Sequence, residues 1–209
     1  MKTLYIIRLG ETENNVKKIW SGSRTDSPLT QKGISQANRV ADLLIADSSI
    51  SCIYASPAKR VLETARPLAD KFSLKIIPDE AFQEIDIGDF DGRPQSEVIG
   101  TEMGKQFFSA PQYITFPGAN ASVLESQQKA TVKIKELLDD LQMEKAIAIY
   151  THGALLRVVL LKLLGFNDLS MFWKFQIGSC AVVQLIQKPN EKFMEMVNLV
   201  NFGSPFLTL

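Results

Sequence analysis

Short apolar runs along the chain alternate with stretches in which apolar residues recur every three or four positions. Residues 4–7, 51–55, 74–77 and 146–150 are short apolar runs with the length of core strands. Between them, Ala37, Val40, Ala41, Leu44 and Ile45 repeat at helical spacing behind a Thr30 cap. Val61, Leu62, Ala65, Leu68 and Ala69 do the same behind Ser56-Pro57, which reads as a cap followed by proline at the first helical position. A third helix carries Ala130, Ile134, Leu137, Leu138 and Leu141. A fourth, residues 154–164, is apolar almost all round and is predicted to be deeply buried.

Strands that alternate with helices predict an α/β fold with a mostly parallel sheet covered on both faces. Residues 181–186 and 193–200 are expected to add a hairpin or antiparallel edge strands. Residues 78–118 break the pattern. They are rich in Gly, Pro and acidic residues, carry Phe90, Phe107, Phe108, Tyr113 and Phe116, and read as a lid-like insertion.

Composition narrows the function classes. A chain of 209 residues suits one domain, residues 1–209, with the 78–118 excursion inside it. Lys plus Arg number 23 and Asp plus Glu number 23, so no global charge calls for nucleic acid or an anionic membrane as partner. The opening apolar run is too short for a secretory signal, and the apolar 154–164 stretch is broken by Arg157 and Lys162, so a cytoplasmic protein is expected. Cys52 and Cys180 lack metal-ligand spacing, and with one histidine in the chain no metal site is expected; both cysteines are read as buried thiols.

In an open parallel sheet, ligands collect outside the carboxyl ends of the strands. Arg8 with Gly10-Glu11-Thr12 follows the first strand; Ser56-Pro57-Ala58-Lys59-Arg60 follows the second. Thr151-His152-Gly153 follows the 146–150 strand, with Arg157 one turn later. Taken singly, Arg8 reads as a surface partner of Glu11, Arg60 and Arg157 as solvated helix residues, and His152 as a packing residue. Their shared end of three strands points instead to an anion site, because guanidinium forks and helix N-termini match phosphate oxygens.

These segments resemble the histidine phosphatase, or phosphoglycerate mutase-like, superfamily. Its opening Arg-His-Gly-Glu-Thr stands here as Arg8-Leu9-Gly10-Glu11-Thr12. The likeness continues through Asn15, SGSRTDSPLTQKGISQA from residue 21, YASPAKRVLETA from residue 54, EIDIGDFDG from residue 84 and THGALLR from residue 151. The resemblance implies a three-layer α/β/α sandwich and phosphomonoester hydrolysis through a phosphohistidine, with no cofactor and no metal. Its implied ligand is a small phosphomonoester or inorganic phosphate, and a homodimer stays open. By position, Arg8, Arg60 and His152 would hold the transferring oxygens, and Glu84 would protonate the leaving alkoxide and then activate water. Asn15, Ser21, Gly22, Ser23 and Gly153 would complete the phosphate-binding set.

Leu9 falls on the nucleophile's position. A hydrocarbon has no lone pair with which to attack phosphorus, so turnover is expected to fall by roughly 10^4 to 10^6-fold, about 5 to 8 kcal/mol of barrier. The readings that follow are a phosphatase with its nucleophile substituted, a non-catalytic protein that binds phosphorylated ligands, and mutase-type phosphotransfer. The short chain favours a phosphatase over a mutase. Phe107, Phe108 and Tyr113 are candidates for an apolar wall that would suit a broad or aromatic phosphomonoester.

Overall fold

The computed structural model describes residues 1–201. Its strands are β1 (Lys2–Arg8), β2 (Ile50–Ala55), β3 (Ile76–Pro78), β4 (Ala146–Thr151), β5 (Val182–Gln187) and β6 (Glu195–Val200). They form one six-stranded sheet in the order β3-β2-β4-β1-β5-β6. The β3–β2, β2–β4 and β4–β1 pairs are parallel, and β5 and β6 join as an antiparallel hairpin at the β1 side. The helices are α1 (Glu13–Val16), α2 (Gln31–Leu44), α3 (Lys59–Phe72), α4 (Gln95–Ile99), α5 (Glu102–Ser109), α6 (Val123–Asp140) and α7 (Gly153–Leu163).

Alternation along β1 builds the layers. Leu4 and Ile6 face a cluster with Ile134, Leu138, Leu156 and Leu160 of α6 and α7. Tyr5, Ile7 and Leu9 face the opposite cluster, with Val40 and Leu44 of α2 and Val61 and Leu68 of α3. Successive strand residues point to opposite faces, so one strand supplies both cores of the α/β/α sandwich. All six residues of β4 are buried, as the central strand of a doubly covered sheet should be. The apolar α7 is correspondingly deep, with Leu155 through Leu161 all buried.

Three expectations need correction. Helix α3 starts at Lys59 behind Ala58, not at Ser56-Pro57, and no side chain of its own caps it. Ser56 is engaged elsewhere, and the Asp26 carboxylate accepts from Lys59 N at 2.7 Å in its place. The third strand is only Ile76–Pro78, because Leu74 N bonds Ala69 O to close α3 after Ser73 turns left-handed at φ 53°. Cys180 is buried as expected, whereas Cys52 is half-buried; both are free thiols.

Residues 78–118 fold as 3-10 turns plus α4 and α5, and place Phe82, Ile85, Phe107, Ile114 and Phe116 in the larger core. Among the described residues no helix is long and apolar enough to cross a membrane.

Candidate active site

At the carboxyl ends of β1, β2 and β4 lies a cavity of about 160 Å³, lined by Arg8, Leu9, Arg60, Glu84, His152 and Arg157 among others. The three arginines and the histidine are buried, with Arg8 at 6 %, Arg60 and Arg157 at 3 % and His152 at 1 % exposure. Such burial rules out the surface-pair and solvated-helix readings of these arginines. A buried cation is costly unless its donors and charge are answered, so the neighbours of each define the site.

Arg8 Nη1 donates to the Ile177 carbonyl at 2.8 Å, and Arg157 Nη2 donates to the same oxygen at 3.1 Å. Arg157 also donates to the carbonyls of Phe175 and Gly153, and its guanidinium lies 4.8 Å from the Trp173 ring centre. Burial lowers the Arg8 pKa to about 10, against the opposing pull of Glu84. Burial, with the nearby Arg8 charge, lowers that of Arg157 to about 9. Both therefore remain cationic at neutral pH, and two guanidiniums sharing one carbonyl concentrate positive potential at one wall.

Arg60 is a hub. Its Nη1 donates to Thr25 O at 2.6 Å and to Asp26 Oδ1 at 3.0 Å. Its Nη2 donates to Gly22 O at 2.9 Å and faces His152 Nδ1 at 3.3 Å. His152 Nε2 lies 2.8 Å from Ser56 Oγ. Burial, followed by the charges of Arg60 and Arg8, drives the His152 pKa well below the ordinary imidazole value, so the ring is neutral.

Helix N-termini contribute differently from expectation. The first amides of α3 are bonded by Asp26, whose oxygens accept from Lys59 N and Arg60 N. Those of α7 are bonded by Glu84, whose carboxylate accepts from Ala154 N at 3.1 Å and Leu155 N at 2.9 Å. Each helix dipole is thus met by a loop carboxylate, and at α7 this fixes Glu84 at the cavity lining. A Cβ at Gly153 would stand 3.0 Å from Arg8 Nε, close enough that the guanidinium would have to give way by a few tenths of an ångström.

The structure brings Arg8, Leu9, Asn15, Ser21, Arg60, Glu84, His152 and Gly153 to the cavity lining. Gly22 and Ser23 are not lining residues. The Gly22 carbonyl holds Arg60, and the Ser23 carbonyl accepts from Gln83 Nε2 at 2.9 Å. Leu9 extends β1, with its N bonded to Thr151 O and its O accepting from Cys180 N. Its side chain is 6 % exposed and belongs to the α2/α3 cluster while still reaching the cavity.

Of the three proposed aromatic wall residues, only Phe107 lines the cavity. Tyr113 is 76 % exposed, and Phe108 stacks on Trp173 with ring centres 4.7 Å apart. Trp20 and Trp173 supply the rest of that wall, with Lys18 and Gln95 nearby; none of these four was identified from sequence. Backbone bonds from Gln95 N to Lys18 O, Trp20 N to Arg93 O and Gly92 N to Trp20 O clamp together the two segments that carry Lys18, Trp20 and Gln95.

The sequence profile of the histidine phosphatase superfamily (branch 1) matches residues 4–200. A phosphoserine phosphatase from Entamoeba histolytica, solved in complex with 3-phosphoglyceric acid, superposes with a TM-score of 0.84 at 29 % identity, over 95 % of this chain and 96 % of that one. A variant of that enzyme with a histidine replaced by alanine, in complex with phosphoserine, gives a TM-score of 0.83 at 29 % identity over the same shares. Phosphoglycerate mutase-like protein 4 of Arabidopsis thaliana is 31 % identical over 74 % of this chain and 67 % of its own length. The chain belongs to the histidine phosphatase superfamily, a family of phosphatases and mutases.

Proposed function

We propose that this chain is a phosphomonoester hydrolase of the histidine phosphatase type in which Leu9 has removed the nucleophile, leaving a phosphate-binding site with little or no turnover. One observation carries the reading: three buried arginines and a neutral buried histidine share one small cavity with Glu84, and a leucine stands among them. A phosphate anion would add negative charge and acceptor oxygens beside Arg8 and Arg157, whose guanidiniums also donate to the carbonyls of Ile177, Phe175 and Gly153. With histidine at position 9, the ring nitrogen would attack phosphorus as the ester P–O bond breaks. Glu84 would give its proton to the leaving oxygen and later take one from the water that hydrolyses the phosphohistidine.

A second reading, a non-catalytic protein that binds phosphorylated ligands, draws support from the packing of Leu9, which is integrated in the α2/α3 core. Leu9→His decides between them. The hydrolase reading expects metal-independent hydrolysis of p-nitrophenyl phosphate in EDTA at least 10^4-fold above the chain as written. If the variant folds and binds phosphate but stays inactive, the binding reading replaces it.

A further inference from the structure

Behind His152 runs a line of hydrogen bonds whose direction is set at both ends. On one side of the ring, Arg60 Nη2 lies 3.3 Å from Nδ1, and a guanidinium can only donate. Nδ1 must therefore accept, and the neutral ring carries its proton on Nε2. At the far end, Gln83 Nε2 lies 2.9 Å from the Ser23 carbonyl, which can only accept, so the amide oxygen of Gln83 is turned the other way. That oxygen takes the hydroxyl proton of Ser56 at 2.6 Å. Ser56 Oγ then has only lone pairs left. They face His152 Nε2 at 2.8 Å and Ala58 N at 3.3 Å. Ser56 is fully buried, so water offers no alternative partner.

We infer that Gln83 is a positioning residue which, through Ser56, fixes His152 as the Nε2–H tautomer and leaves Nδ1 as the nitrogen beside Arg60. The tautomer stands on the hydrogen bonds alone; its consequence for ligands rests on the phosphate-site reading above. With Nε2–H committed to Ser56, the ring meets a phosphate only through the Nδ1 lone pair, which can accept the hydroxyl of a monoanion but has no proton to offer a dianion. The second partner of a histidine thus decides which nitrogen meets the ligand. Gln83 does not line the cavity, whereas its neighbour Glu84 does.

The chain contains one histidine, so long-range 1H–15N spectra of the ring report on His152 without ambiguity. The chain as written is expected to show a protonated Nε2 and an unprotonated Nδ1. Gln83→Met removes the acceptor while keeping the side-chain length, and is expected to yield a mixed or inverted tautomer. Gln83→Glu restores an acceptor for Ser56 and is expected to restore the Nε2–H signature. Circular dichroism confirms that each variant is folded, and if Gln83→Met is not, Ser56→Ala repeats the test. An Nδ1–H ring in the unaltered chain, or a ring spectrum unchanged by Gln83→Met, overturns the assignment.

Titration with inorganic phosphate below its second pKa, where the monoanion carries a hydroxyl for Nδ1 to accept, is expected to give about tenfold weaker binding for Gln83→Met, followed on the same resonances. Equal binding with an altered tautomer overturns the positioning role. Failure of the unaltered chain to bind phosphate, with the tautomer as stated, overturns the phosphate-site reading instead.

Discussion

Acidification from pH 7 to pH 5 should destabilise this protein through His152, and the sign follows from its surroundings. The ring is 1 % exposed and flanked by Arg60 and Arg8, so its folded pKa lies well below 6.5, whereas in the unfolded chain it returns to about 6.5. Below that value the unfolded state binds a proton that the folded state refuses, so stability rises with pH across the window and falls on acidification. Two pH units crossing 6.5, at about 1.4 kcal/mol per unit below it, set an upper limit of about 2 kcal/mol.

Glu11, Asp47 and Asp86 are shifted downward by hydrogen bonds that outweigh their burial. Their contribution is lost only as pH falls through their depressed folded values, which lie below pH 5. Urea unfolding at pH 5 and pH 7 should therefore differ by up to about 2 kcal/mol for the unaltered chain and much less for His152→Asn. The same pH dependence in both proteins would refute the claim that a neutral buried imidazole sits between two guanidiniums.

Leu9→His should lower unfolding stability by about 1–3 kcal/mol without ligand, because it removes an apolar side chain that is 6 % exposed; an equal or higher urea midpoint would contradict the packing described. Gly153→Ala should change stability by no more than about 1 kcal/mol yet weaken phosphate binding roughly tenfold, since the added methyl meets Arg8 Nε at 3.0 Å; calorimetric titration checks it. Asp26→Asn keeps an oxygen to cap α3 but removes the negative charge 3.0 Å from Arg60, so phosphate should bind about two- to fivefold more tightly at low salt in a thermal-shift titration.

The parts legible in the sequence were those governed by period and by strand ends. The core strands β1, β2 and β4, the four long helices and the convergence of Arg8, Arg60 and His152 follow from spacing and from the rule that ligands gather at strand carboxyl ends, whereas the third strand proved a short edge strand. The start of α3 was not legible, because its capping carboxylate is Asp26, distant in the chain and brought there by folding. Lys18, Trp20 and Trp173 come from irregular segments and Gln95 opens the five-residue α4, so no periodicity reveals which way they face. Arg157 offered a usable signal, since an arginine inside an otherwise apolar, deeply buried helix marks a charge with a buried task. Gln83 offered none apart from adjacency to Glu84, as its role depends on Ser56 arriving from another strand end.

On the proposed function, residue 9 stands where phosphorus is attacked. Mass spectrometry of Leu9→His, acid-quenched minimally and early in turnover of a phosphomonoester, measures it most directly. One acid-labile phosphoryl group is expected on residue 9 of the variant and none on the chain as written. A phosphoryl group on another residue, or hydrolysis by Leu9→His with no phosphoprotein at any time point, would contradict it.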